Sequence, residues 1–502
     1  MNYHKNLFLH LLVFAFFVFP DFTFAQQKKK ETIQNELQNA IEELNSDGEM
    51  RHASWSIAVI RVSDGRLLAS HQPEIALTPA SVLKLVLTYP AWIKLGKNYT
   101  FKTYLEHDSY IDKDSILHGN LYLRGSGDPT FASQRVEKWS EDSVFGRFYK
   151  TIAHAGIKIV AGTILADAQL WNSDLIPSNW LWSDIGNYYG SGACALNYHE
   201  NFYTVSFQSG QKIGDKTRIV SVEPAVTELE FDNAVTTAAA GSGDQVILYG
   251  VPGDNQRLAR GTVPLDNSPF KVKGSLPDPT IACVRAFHRY LTLKNIEIGN
   301  PANTLKNLSR TGNFVNHNRS LLDSIESPSL EQIIRLIHEK SINLYAESLV
   351  KTLGSLENQP GNEQKGIQII TEFWAKNGIN TSALQMEDGC GLSPLNKISC
   401  FQLASMLRFM ARDLKNRDFL ETLNEGGQSG NLKNLFKGST AEGNLRAKSG
   451  YMKGVRSYAG ITLDKKGEEL AFAIIVNNYE GSPQSMKLKL EKLMISIANS
   501  TF

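Results

Sequence analysis

Lys448-Ser449-Gly450, read with Ser81-Val82-Leu83-Lys84 and Ser341-Ile342-Asn343, decides how this chain folds, because three stretches far apart carry chemistry that belongs in one pocket. Each is weak alone. The 502 residues hold four S-x-x-K strings, at Ser81, Ser209, Ser268 and Ser348, and about two are expected from ordinary serine and lysine frequencies. S-x-N occurs twice, at Ser341 and Ser429, whereas K-[ST]-G occurs once. The order of the three, the single K-[ST]-G and their local context make a constellation of them.

Leu77-Thr78-Pro79-Ala80-Ser81, with a proline followed by aliphatics, predicts a helix from about Ser81 that Pro90 should kink or end. Three positions apart on a helix, Ser81 and Lys84 share a face. A hydroxyl is a poor nucleophile near neutral pH, and an amine with a lowered pKa can act as its base. The amide of Ser81 at the helix start can stabilise a developing oxyanion. An isolated string would read as an N-cap and a surface lysine. Ser341 and Asn343 fall between helical stretches at Leu330 to Glu339 and Leu344 to Leu353, where a hydroxyl and an amide can point into a cleft or cap a helix. Lys448 and Ser449, just before a hairpin, suit an edge strand binding a carboxylate. Gly450 lets a ligand approach the backbone.

The ends of the chain differ in texture from its middle. Lys5, the apolar run from Leu7 to Pro20 and Thr23-Phe24-Ala25 read as a secretory signal cleaved after Ala25, with Lys28 to Lys30 as a solvated leader. A helical lead-in (Ile33 to Leu44), a hairpin over Ser54 to Ala69, a second over Tyr458 to Asn477 and an amphipathic helix over Lys487 to Ala498 bracket residues 98–299. That middle is rich in short strand-like runs. The expected organisation is a signal peptide at 1–25, an α/β catalytic domain from 26–97 and 300–502, and an inserted region at 98–299 made of two small mainly β domains.

A net charge of +1 excludes a nucleic-acid or anionic-membrane surface as the main partner. No later segment is apolar enough to span a bilayer. Cys194, Cys283, Cys390 and Cys400 show no metal spacing, and no H-E-x-x-H occurs. No metal or cofactor is expected. Export leaves a Cys390–Cys400 disulfide and four unpaired thiols both open.

With its three motifs in this order, the sequence resembles the class C low-molecular-mass penicillin-binding proteins, the D-alanyl-D-alanine carboxypeptidase/endopeptidases of peptidase family S13. The 260 residues between Ser81 and Ser341 leave room for that family's large insertion. Further similar stretches are Gly125 to Thr130, Tyr189-Gly190, Ala195 to Asn197, Gly274 to Pro279, Asp388 to Ser393 and Asn444 to Lys448. The resemblance implies a penicillin-binding, serine β-lactamase-like α/β fold interrupted by a mostly β insertion. Ser81 would be the nucleophile, Lys84 its base, and Ser341 a proton relay. Asn343 would bind the peptide amide, Lys448, Ser449 and Gly450 would receive the carboxylate end, and the amides of Ser81 and Tyr451 would form the oxyanion hole. Peptidoglycan stem peptides would be the substrates, β-lactams covalent inhibitors, and the periplasm the location. Four positions depart from the family pattern: Ser449 and Tyr451 stand where threonine is usual, Cys390 replaces a serine and Asn431 a threonine. A β-lactamase and a non-catalytic peptidoglycan binder are the rival readings.

Overall fold

The computed structural model describes residues 36–172, 174–312, 318–356 and 360–502, so the signal expected at 1–25 lies outside the described residues. Both ends of the chain build one antiparallel sheet. Its strands are β1 (Ser54–Arg61), β2 (Leu67–His71), β3 (Arg446–Met452), β4 (Val455–Leu463) and β5 (Glu469–Asn477), in the order β2-β1-β5-β4-β3, with the two-residue strand Asn424–Glu425 beyond β3. Alternate residues serve two cores, as the period of two requires. Ala58, Ile60, Ala473 and Ile475 face one layer; Ile57, Val59, Ile474 and Val476 face the other.

The first layer holds α1 (Lys84–Leu95), α2 (Leu330–Lys340), α3 (Asn343–Gly354), α4 (Glu363–Lys376) and α5 (Cys400–Arg412). The second holds α6 (Pro483–Asn499) and a helix over 36–46, which contributes Leu37, Ile41 and Leu44. Among the described residues no helix is long and apolar enough to cross a membrane.

Pro90 does not end α1, which runs on to Leu95. A proline leaves the carbonyl four residues earlier without its N–H donor. Here the indole Nε1 of Trp374, on α4, donates to Val86 O at 2.8 Å. That removes a desolvation cost of roughly 1–3 kcal/mol for a buried, unmet carbonyl.

The middle of the chain is less purely β than its strand-like runs imply. A five-stranded sheet, ordered Asn303–Thr304, Ile164–Asp167, Leu121–Gly125, Lys102–His107 and Ser320–Glu326, contains parallel pairs. Parallel neighbours need long crossovers, and helices Glu141–His154 and Pro279–Leu293 pack with this region. Two short sheets built on Phe202–Gln208 and Gln256–Arg260 join the same core, in which Leu123, Phe145, Phe287, Tyr203 and Val263 are buried. In this middle region most of the buried apolar side chains form one cluster, Tyr122, Leu165 and Leu305 form a small second one, and Ser320–Glu326 carries the pairing past residue 299. The boundary is hard to see in sequence because a single returning strand marks it.

Candidate active site

Ser81 sits in a 3₁₀ turn, Ala80–Leu83, immediately before α1. The expected helix from Ser81 is thus regular only from Lys84. In a 3₁₀ turn side chains at i and i+3 eclipse, which brings Ser81 Oγ and Lys84 Nζ to 2.9 Å. Ala80, just before, holds a left-handed φ of 50°, a strain of order 1–3 kcal/mol that persists only where neighbours fix it. They do so here. Ser457 Oγ donates to Pro79 O at 2.6 Å, and the side chain of Asn477 bonds both N and O of Thr78, at 2.9 and 3.0 Å. The nucleophile turn is thereby bolted to β4 and β5.

Lys84 is fully buried. Besides Ser81, its Nζ meets Asn343 Oδ1 at 2.7 Å and Cys390 O at 2.6 Å. Two carbonyl oxygens and one hydroxyl take the three N–H groups of the ammonium; on losing a proton, Nζ can keep both carbonyl bonds and turn a lone pair to the Ser81 hydroxyl. Burial pulls the Lys84 pKa below its ordinary value, against the opposing pull of Cys390, Asp388 and Glu347.

Ser341 caps α2 in the left-handed region, φ 58°, and α3 begins two residues later at Asn343. This corner aims both side chains at the cleft. Asn343 Nδ2 donates to Tyr189 O at 2.8 Å, while Ser341 Oγ lies 2.9 Å from Lys448 Nζ. Lys448 is also fully buried; its other bond goes to Ser449 O at 2.7 Å, and burial, then the charge of Lys84, holds its pKa well below the usual lysine range.

Asn424–Glu425 pairs only with Arg446 and Ala447, so Asn424–Glu425 leaves β3 uncovered from Lys448 onward. Ser449 Oγ accepts from Asn431 Nδ2 at 3.2 Å. Gly450 also has a packing reason: a Cβ there would collide with Ser457 Oγ and lie 2.9 Å from Pro79 O and 3.0 Å from Ser81 N, so the missing side chain seats the nucleophile turn against the strand. Tyr451 is half exposed, with the Arg456 guanidinium 5.5 Å from its ring.

Behind the site His338 is buried between Thr88 Oγ1 (3.0 Å) and Thr422 Oγ1 (2.8 Å). Burial, then Lys448, lowers its pKa to about 3, so it is neutral. Glu347, Asp388 and Cys390 bring potential metal-ligand atoms within 4.8 Å of one another. Their oxygens already have partners: Glu347 Oε1 accepts from Gly389 N and Cys390 N, and the Asp388 carboxylate from Gly391 N, Ser393 N, Asn396 Nδ2 and Trp180 Nε1. The cluster is a hydrogen-bonded knot holding a loop. All four cysteines are unpaired.

The three motifs converge, and one chain of contacts runs Ser81–Lys84–Asn343 with a second joining Ser341 to Lys448. The comparison with known families matches this order: residues 37–497 match the D-Ala-D-Ala carboxypeptidase 3 (S13) family. The chain belongs to that family. S13 enzymes are serine-type peptidases. Among relatives, a D-alanyl-D-alanine carboxypeptidase of Actinomadura sp. is 25% identical over 465 residues, covering 89% of this chain and 82% of the relative. The carboxypeptidase DacB of Haemophilus influenzae is 24% identical over 441 residues, covering 86% and 87%. The crystal structure of penicillin binding protein 4 from Haemophilus influenzae superposes with a TM-score of 0.76 at 20% identity, over 92% of this chain and 98% of that one. That likeness shows the shared α/β fold. A second structure of the same protein, in complex with a β-lactam, gives 0.72 at 21% identity over 92% and 98%.

Several groups around this site were not singled out by sequence reasoning. Glu347 lies one helical turn after Asn343 and Thr88 one turn after Lys84, spacings that could have flagged them. The carbonyls of Cys390 and Tyr189 are backbone groups, and no residue pattern announces them.

Proposed function

We propose that the chain is a D-Ala-D-Ala carboxypeptidase of peptidoglycan stem peptides that works through an acyl-enzyme on Ser81. The observation that carries this is the position of Lys84 Nζ, 2.9 Å from Ser81 Oγ with two carbonyl oxygens taking its N–H groups. Lys84 takes the Ser81 proton as Oγ bonds to the carbonyl carbon of the penultimate D-alanine. The amides of Ser81 and Tyr451 receive the oxyanion. Ser341, bonded to Lys448, gives its proton to the leaving nitrogen as the C–N bond breaks and D-alanine departs, and the proton held by Lys84 is handed on to Ser341, which leaves Lys84 a free amine again. Water then attacks the acyl carbon as Lys84 takes one of its protons, and Lys84 returns that proton to Ser81 Oγ as the acyl C–O bond breaks. Asn343 holds the substrate amide, and Lys448, Ser449 and the open edge of β3 hold the terminal carboxylate.

A β-lactam presents a ring-strained amide to the same groups and acylates Ser81 as its ring C–N bond opens. Cross-linked stem peptides differ only in the leaving amine, so endopeptidase cleavage uses the same groups. The leader at 1–25 fits export to the periplasm. The test is release of D-alanine from a peptide ending in D-Ala-D-Ala, measured beside release of the amine from a cross-linked dimer. Ser81→Ala should lose both. Release persisting in Ser81→Ala, or fast turnover of penicillin in place of a lasting adduct, would refute the reading.

A further inference from the structure

We infer that Glu347 is a positioning residue for Lys84: it fixes the amides of Gly389 and Cys390, and through them the Cys390 carbonyl that holds the amine in line with Ser81. This rests on the roles proposed above for Ser81 and Lys84. The contacts form one continuous path. Glu347 Oε1 accepts from Gly389 N at 3.0 Å and Cys390 N at 2.7 Å, and on the other side of that residue Cys390 O accepts from Lys84 Nζ at 2.6 Å. Glu347 is 3% exposed, and Cys390 and Lys84 are 0% exposed, so no water competes for these bonds.

The helix spacing gives the arrangement its force. Asn343 and Glu347 stand one turn apart on α3 and share a face. Asn343 holds Lys84 directly and Glu347 holds it through the loop, so both carbonyl acceptors of the amine are referenced to one rigid helix. The loop backbone lies close against α3, since a Cβ on Gly389 would collide with Val350 of that helix. Asp388 ties the loop from its other end through Gly391 N (2.7 Å) and Ser393 N (2.6 Å). A base displaced by about 1 Å from its hydroxyl loses on the order of 100-fold in rate, and nothing else among the described hydrogen bonds anchors the Cys390 amide.

Charge is secondary in this role. Burial, then the neighbouring Asp388 carboxylate, pushes the Glu347 carboxyl well above its ordinary range. What α3 supplies to the loop is an oxygen at a set reach. Glu347→Gln keeps that oxygen and its reach while removing the acid; Glu347→Asp keeps the acid but is one methylene short of the two amides.

The experiment measures the acylation rate constant and the pre-covalent binding constant for fluorescent penicillin in full-length wild type, Glu347→Gln, Glu347→Asp and Glu347→Ala. Rates are taken per acylatable site, and melting temperatures are recorded alongside. The expected result is Gln within about 3-fold of wild type and Asp and Ala slower by about 30-fold or more, with binding constants unchanged. If Ala does not fold, the order of Gln and Asp decides alone. Asp faster than Gln, or all variants acylating at the wild-type rate per site despite lowered melting temperatures, overturns the proposal. Ser81→Ala in the same assay separates the two failures: label retained there removes the parent reading, whereas label lost there with the wrong Gln–Asp order removes only the inference about Glu347.

Discussion

Two buried lysines, Lys84 on α1 and Lys351 on α3, make an instructive pair. Lys84 and Lys351 both give their Nζ to two carbonyl oxygens: Asn343 Oδ1 and Cys390 O for the first, Asp174 O and Ala193 O for the second. Burial lowers both pKa values. Lys351 borders a cavity of about 840 Å³, shared with Trp171, Leu175 and Glu363, which contains none of the three motifs. The nearby thiol of Cys194 is pushed up to about 12 by burial and is not a nucleophile near neutral pH. Lys84 differs in one respect, the serine hydroxyl that completes its coordination. In the proposed mechanism burial makes an amine available as a base, and the third partner gives it a proton to take. Volume is a poor guide to the reactive site here.

Substitutions can break that comparison. Ser81→Ala should lower penicillin acylation by about five orders of magnitude or more, measured by label incorporation, with the melting temperature little changed. Lys84→Met should cost about 10³–10⁴-fold in acylation. Lys351→Met should leave acylation within a few-fold but unmeet two carbonyls, for a loss of about 2–4 kcal/mol in urea unfolding. Similar kinetic losses in both lysine variants would erase the distinction. Asn343→Ala, which removes one of the two carbonyl acceptors, should slow acylation by about 10–100-fold.

His338 sharpens the picture by its silence. Its pKa falls from 6.5 unfolded to about 3 folded. The unfolded chain therefore binds the extra proton between those values, so this contribution to stability is complete above pH 6.5 and drains away as pH drops toward 3, at about 1.4 kcal/mol per pH unit. His338→Asn should be less stable than wild type at pH 7, and the gap should narrow in melting curves at pH 5 and 4. A constant gap would mean that His338 titrates alike in the folded and the unfolded chain. The smallest effect is expected of Tyr451→Thr, a change of a few-fold in the KM for a D-Ala-D-Ala peptide with kcat unaltered.

What was legible in the sequence was chiefly side-chain chemistry and local periodicity. Ser81, Lys84, Ser341, Asn343 and Lys448 announce themselves because hydroxyls, amines and amides recur at helical or strand spacing. The hairpin Val455–Leu463 with Glu469–Asn477 and the closing helix α6 follow from alternation and amphipathicity. What escaped depends on partners distant in sequence. Pro90 continues a helix because Trp374 supplies a donor, and Lys84 is held by the carbonyl of Cys390, a group every residue has. Ser320–Glu326 lies beyond the expected 98–299 boundary, and its pairing with Lys102–His107 is what joins it to that region.

The account turns on Ser81 being the atom that becomes acylated. Intact-mass spectrometry of the full chain after incubation with benzylpenicillin, followed by peptide mapping, reads this directly. One adduct per molecule on the peptide containing Ser81, lost in Ser81→Ala and slowed in Lys84→Met, is the predicted result. An adduct on any other peptide, or none from a folded protein, would contradict it.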